Sequence, residues 1–231
     1  MSTRHLTFGL LGVALLASMA AGAAEQTSVT ETNLAPLPID LPEAYFGGTP
    51  IIYVSPNFEE PVYTQRAPFM APQGAVNLAK GKPVTSSDAN PRLGNLSFLT
   101  DQEKDYHNEF LLELGTGVQW IQIDLGETAE LFAVLAWHFH MGDRVYFDVV
   151  VQVSDDPSFA KGVTTLYNND IDNSAGLGVG ADTEYIENYQ GRLIDAKGVK
   201  GRYVRLYSNG NTTDDTNNYV EVEVFGRPRE G

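Results

Sequence analysis

The sequence predicts an all-β fold of the sandwich kind, and three observations predict it. First, apolar and polar residues alternate at period two, with Ile121, Ile123 and Leu125 against Gln122 and Asp124, and Val220, Val222 and Val224 against Glu221 and Glu223. Second, two longer strand-like runs, Leu131 to Phe139 and Val145 to Ser154, follow the first stretch directly. In the latter run Phe147, Val149, Val151 and Val153 share one face, with Asp148 and Gln152 opposite. Third, Gly and Asn interrupt every run long enough for a helix, so none of any length is required. Alternating faces packed together give a jelly-roll β-sandwich of about eight antiparallel strands. Gly126 is expected to turn the chain between the first strand and the second, because it carries no Cβ.

Taken in order, residues 1–23 read as a secretory signal peptide. Arg4 and His5 precede the uncharged apolar run from Leu6 to Ala20, and Ala21-Gly22-Ala23 fits a small-x-small cleavage site. The mature protein is therefore expected to be secreted or periplasmic, with no membrane insertion. Residues 24–75 read as a Pro-rich extended arm, since eight of the twelve prolines lie between Pro36 and Pro72. Tyr45, Phe46, Ile51, Ile52, Tyr53, Val54 and Phe69 make this arm too apolar for a solvated spacer, so it is expected to pack partly against the domain. Residues 76–231 are read as the sandwich domain, and a chain beginning near Ala75 is expected to fold by itself.

At 231 residues with 42% hydrophobic content, the chain can bury one core of ordinary size. Its 30 acidic residues against 15 basic ones, a net charge of −15, exclude a nucleic-acid partner and disfavour an anionic membrane surface. The same acidity suits divalent cations. The absence of cysteine excludes disulfides, thiolate metal sites and a Cys nucleophile. No Gly-x-Ser-x-Gly elbow, phosphate loop, dinucleotide fingerprint or His-Glu-x-x-His motif is present. His138 and His140 stand two apart, a spacing that on a strand aims both imidazoles from one face. Three readings stay open: transition-metal ligands with His107 or Asp143 as a third, structural hydrogen-bonding groups, or contacts to a sugar. The stretch from Asn168 to Gly191 reads as an unusually long loop.

Five stretches carry a resemblance to a known family. Trp120-Ile121-Gln122-Ile123-Asp124-Leu125-Gly126, Val151-Gln152-Val153-Ser154-Asp155-Asp156, the opening Asn77-Leu78-Ala79-Lys80-Gly81-Lys82-Pro83-Val84-Thr85-Ser86-Ser87, and the closing Gly201–Tyr207 and Tyr219–Gly226 segments resemble the discoidin domain, also called the coagulation factor V/VIII type C domain. The resemblance covers residues 77–226 and implies a non-catalytic module of the galactose-binding-like kind, with carbohydrate as partner. It implies a shallow loop-end site of His138, His140 and Arg144, with Tyr106 as a stacking ring and Asn217 as an amide. It further implies a structural Ca²⁺ held by Asp101 and Glu221, with Gln102 standing where sugar-binding relatives have Gly. The alternative is a cell-surface adhesion or scaffold component that binds another extracellular protein.

Overall fold

The longest strand, β6 (Gln119–His138), is the spine of the molecule. The computed structural model describes residues 33–45, 53–105, 107 and 110–228; the predicted signal peptide, part of the arm and Tyr106 lie outside them. Ahead of β6 come β1 (Leu34–Pro36), β2 (Met70–Pro72), β3 (Val76–Asn77), β4 (Val84–Ser86) and β5 (Leu112–Thr116), and a short 3₁₀ helix spans Leu96–Thr100. After it come β7 (Val150–Ser154), β8 (Thr164–Asn168), β9 (Arg192–Ser208) and β10 (Thr216–Pro228). Eight strands form one antiparallel sheet in the order β3-β10-β6-β9-β7-β8, with β4 on β6 and β5 on β10. The all-β sandwich of about eight strands is thus observed, and β1 and β2 add a separate two-stranded hairpin.

The expected turn at Gly126 is not a turn between two strands. Gly126 has φ of 92°, yet β6 runs through it, and the pairing with β9 shifts register between Asp124 and Ala129. That bend carries one strand from one layer of the sandwich to the other. Residues 119–124 pair with 203–208 of β9 and with β4, while residues 129–136 pair with 192–201 of β9 and with β10. The main core fills the space between: Ile121, Ile123, Val204, Leu206, Val151 and Val153 from one side, and Leu131, Val134, Ala136, Ile194, Val222 and Val224 from the other. The period-two readings of β7 and β10 are seen here, with two exceptions: β7 begins only at Val150, so Phe147 stands outside it and outside the main core. Val220 faces the opposite way from Val222, because the register of β10 shifts between Tyr219 and Glu221.

A second core lies on the outer face of β6 and β10, and the arm closes it. Phe132, Leu135, Trp137, Phe139 and Phe225 point away from the main core and meet Leu37, Ile39, Leu41, Phe69 and Ala71. Trp137 is fully buried there. The β1–β2 hairpin clamps the two ends of the arm together, and Leu37 N–H donates to the Phe69 carbonyl at 2.9 Å. The described residues from 33 onward belong to one compact unit.

Candidate functional site

His138 and His140 are both inside. β6 ends at His138, whose side chain is fully buried. Its ring stacks on Tyr146 at 4.4 Å and lies 4.6 Å from Tyr219, and its Nδ1 is 2.6 Å from Glu187 Oε1. Glu187 is equally buried and reaches His138 from the segment before β9, where its N–H donates to the Arg144 carbonyl at 2.8 Å. His140 lies past the strand end, 3% exposed, with Nε2 bonded to the Lys104 carbonyl at 2.9 Å. Burial pushes its pKa down, partly opposed by that hydrogen bond. Asn217 is also enclosed: its amide nitrogen donates to the carbonyls of Gly115 and Gly117, and its oxygen accepts from Ser208 Oγ and the Gly210 N–H. Arg144 covers the Phe139 ring at 4.8 Å and bonds Asn218 and Asp214 at 3.1 and 3.3 Å.

These positions correct the predicted sugar site. His138, His140 and Asn217 have no surface to offer a ligand, because each is enclosed and bonded to distant segments of the chain. Arg144 alone keeps a part-exposed side chain, and Tyr106 falls outside the described residues. Neither buried histidine joins a metal-binding group of three among the described residues; the one such group is Asp148, Asp170 and Asp172. Among the described residues the transition-metal reading of the pair therefore finds no third ligand.

Glu221 lies against the loop that carries Asp101. Glu221 is fully buried, its Oε2 accepts from the Gln102 N–H at 3.2 Å, and its Oε1 has no partner. Burial pushes its carboxyl up to about 9; the neighbouring charges of Glu223 and Asp101 add to this, while the Gln102 N–H opposes it. Gln102 has φ of 75°, so it adopts the left-handed conformation that glycine takes most easily. Next to it, Lys104 Nζ bonds Glu223 Oε1 at 2.8 Å and the Asp40 carbonyl at 2.7 Å, tying this loop to the arm.

One cleft was missed by sequence reasoning because two remote segments build it. Its volume is about 350 Å³, and it lies between the arm and residues 185–193. Tyr45, Tyr63, Arg66, Tyr185, Tyr189 and Arg192 line it. The arm is pinned there by main-chain bonds: Glu59 N–H to the Glu184 carbonyl and Glu184 N–H to the Asn57 carbonyl, both 3.0 Å. Gln190 adds to this, accepting from the Arg66 N–H at 2.6 Å and donating to the Thr64 carbonyl at 3.2 Å. Arg192 stacks over Tyr185 at 4.5 Å and pairs with Glu59 at 2.7 Å. Gly191 stands at the back of the cleft, where a Cβ would lie 2.6 Å from the Trp137 ring. The long loop from residue 168 thus serves the architecture, since its end forms one wall of this cleft. The density of tyrosine in the arm was the available signal, but nothing local showed what it faces.

Comparison with known proteins adds likeness of structure only. No family model matches the chain, and no curated protein matches it. Among solved structures it is similar to a family 89 glycoside hydrolase from Clostridium perfringens, with 19% identity over 66% of this chain and a TM-score of 0.48. The chain spans 15% of that hydrolase. It is also similar to chitosan-binding module 1 from a chitosanase/glucanase of Paenibacillus sp. IK-5, with 21% identity over 65% of this chain and 99% of that one, TM-score 0.43. A third likeness is to the CBM32 of AlyQ in complex with 4,5-unsaturated mannuronic acid, with 22% identity over 62% and 93% of the two chains, TM-score 0.41. The structural neighbours thus include carbohydrate-binding modules. None of these likenesses assigns a ligand or a residue role to this chain.

Proposed function

We propose that the chain is a secreted, non-catalytic module that binds galactose-like or related glycans in the cleft between the arm and residues 185–193. The observation that supports this reading is the lining of that cleft, where tyrosines stand beside guanidinium groups and amides. A phenol ring covers the apolar C–H face of a pyranose, while guanidinium and amide groups meet its hydroxyls. A volume of about 350 Å³ is within the range of small-ligand sites. Tyr63 is 63% exposed, so its ring is accessible to a ligand and contributes little to the core. Tyr63→Ala is expected to weaken glycan binding roughly five- to tenfold, the scale of a lost ring contact of about 1 kcal/mol. Its melting temperature should match that of the unaltered chain. Titration calorimetry on glycans selected from an array makes the measurement, and unchanged affinity in Tyr63→Ala would remove the cleft as the site. Silence of the unaltered chain across the array would instead favour the adhesion reading, to which exposed Leu34 and Met70 on the β1–β2 hairpin lend some support.

We also propose a structural Ca²⁺ at Asp101 and Glu221. The donor set fits, because hard carboxylate oxygens suit this ion and Glu221 keeps one buried oxygen without a partner. The bound ion would neutralise two carboxylates and fix the 101–104 loop on the end of β10. Calcium at one hundred times its dissociation constant should add about 2.7 kcal/mol of stability. For a chain of this size that is a rise of roughly 5–10 °C in melting temperature. Glu221→Gln should abolish the rise. In chelator, Glu221 is expected to make the protein less stable as pH climbs from the unfolded value of 4.5 towards about 9, because the folded state holds the proton more tightly. Melting curves that are identical with calcium and with chelator would dismiss the ion.

A further inference from the structure

We propose that the cleft is selective for acidic sugars, with Arg66 of the arm as the group that meets a ring carboxylate; this rests on the cleft being the glycan site. Arg66 is half-buried, and its guanidinium is oriented by main-chain carbonyls alone. Nη1 donates to Gly191 at 2.9 Å and Nη2 to Gln190 at 3.0 Å. Among the described residues no carboxylate pairs with it, although the chain carries 30 acids against 15 bases. Its neighbour Arg192 is already matched by Glu59. Burial and the charge of Arg192 both lower the Arg66 pKa, so this cation is held at a cost that an incoming anion relieves.

Two of the five guanidinium N–H groups are committed to the protein, which leaves three for a ligand. A carboxylate accepts two of them in a fork and supplies the missing charge; a neutral hydroxyl offers one weaker bond and no charge. A sugar ring laid against the tyrosines with its C6 carboxylate at Arg66 uses both halves of the lining. Asp143 also lines the cleft and opposes an anionic ligand. Its carboxyl is pushed up by burial, which softens that opposition.

The full mature chain should be titrated with an oligogalacturonate and with a neutral galacto-oligosaccharide of equal length, at low and high salt. The acid is expected to bind about tenfold tighter at low salt, and salt should erode the difference. Arg66→Gln should lose that preference, the acid losing far more affinity than the neutral sugar. Arg66→Lys, which retains the charge without the fork, should fall between. If Arg66→Gln undocks the arm and unfolds, Asp143→Asn replaces it: the acid should gain more affinity than the neutral sugar. Equal binding of both sugars by the unaltered chain, or equal losses in Arg66→Gln with the fold retained, overturns acidic selectivity and leaves the glycan reading standing. Failure to bind either sugar overturns both.

Discussion

A chain that begins at Ala75 is expected to lose its cooperative fold, the reverse of what the sequence led us to expect. The arm supplies Leu37, Ile39, Leu41, Phe69 and Ala71 to the second core, and without them Phe132, Leu135, Trp137 and Phe225 face water. Fully burying a large apolar side chain is worth about 1.5–3 kcal/mol, and most of these arm residues are only partly buried, so the loss is on the order of 5 kcal/mol. That is comparable with the whole stability of an ordinary domain. The shortened chain should therefore aggregate, or melt roughly 10–20 °C below the full chain. Lys104 loses the Asp40 carbonyl in the same deletion, so the loop carrying Asp101 and Gln102 should loosen with it. Differential scanning calorimetry of the two chains decides the matter. A shortened chain with an unchanged, cooperative transition would show that the arm only decorates the sandwich.

The second large effect is expected at His138. Removing the imidazole leaves the Glu187 carboxyl buried with neither oxygen bonded, since Oε2 already lacks a partner. Breaking a buried pair from one side costs about 3–5 kcal/mol, so His138→Ala should melt roughly 6–20 °C lower. Glycan affinity, measured below the new transition, should stay near that of the unaltered chain because the imidazole has no exposed surface. Replacing both partners by apolar residues, His138→Leu with Glu187→Leu, should recover much of the loss. A variant of unchanged stability that no longer binds glycan would return His138 to the binding site.

The fold was legible because its signal is local. Alternation in β7 and β10 names the residues of the main core, and it needs no knowledge of which strands pair. It failed where one extra residue shifts the count, as at Val220, and where a glycine bends a strand instead of ending it, as at Gly126. The candidate site was far less legible. His138, His140 and Asn217 are polar residues near strand ends, a pattern that exposed and buried groups share. Their burial depends on Glu187, Lys104 and Ser208, which the sequence does not mark as their partners. Glu221 does lie beside the loop that carries Asp101, through the Gln102 N–H, and Gln102 there has φ of 75°.

By itself, then, the sequence determined an all-β sandwich, its inner faces and the charge that limits its partners, because side-chain period and charge are properties of adjacent residues. Only the tertiary structure decided that the arm is part of the core, since the outward face of β6 looks like any exposed strand until Leu37 and Phe69 cover it. It likewise decided where a ligand has room. The cleft joins Tyr63 and Arg66 to Tyr185 and Arg192 across more than a hundred residues of chain, and no local pattern encodes a meeting at that distance. What brings those side chains together is the folding of the arm back over the sheet, driven by apolar burial that the polar lining of the cleft does not itself reveal.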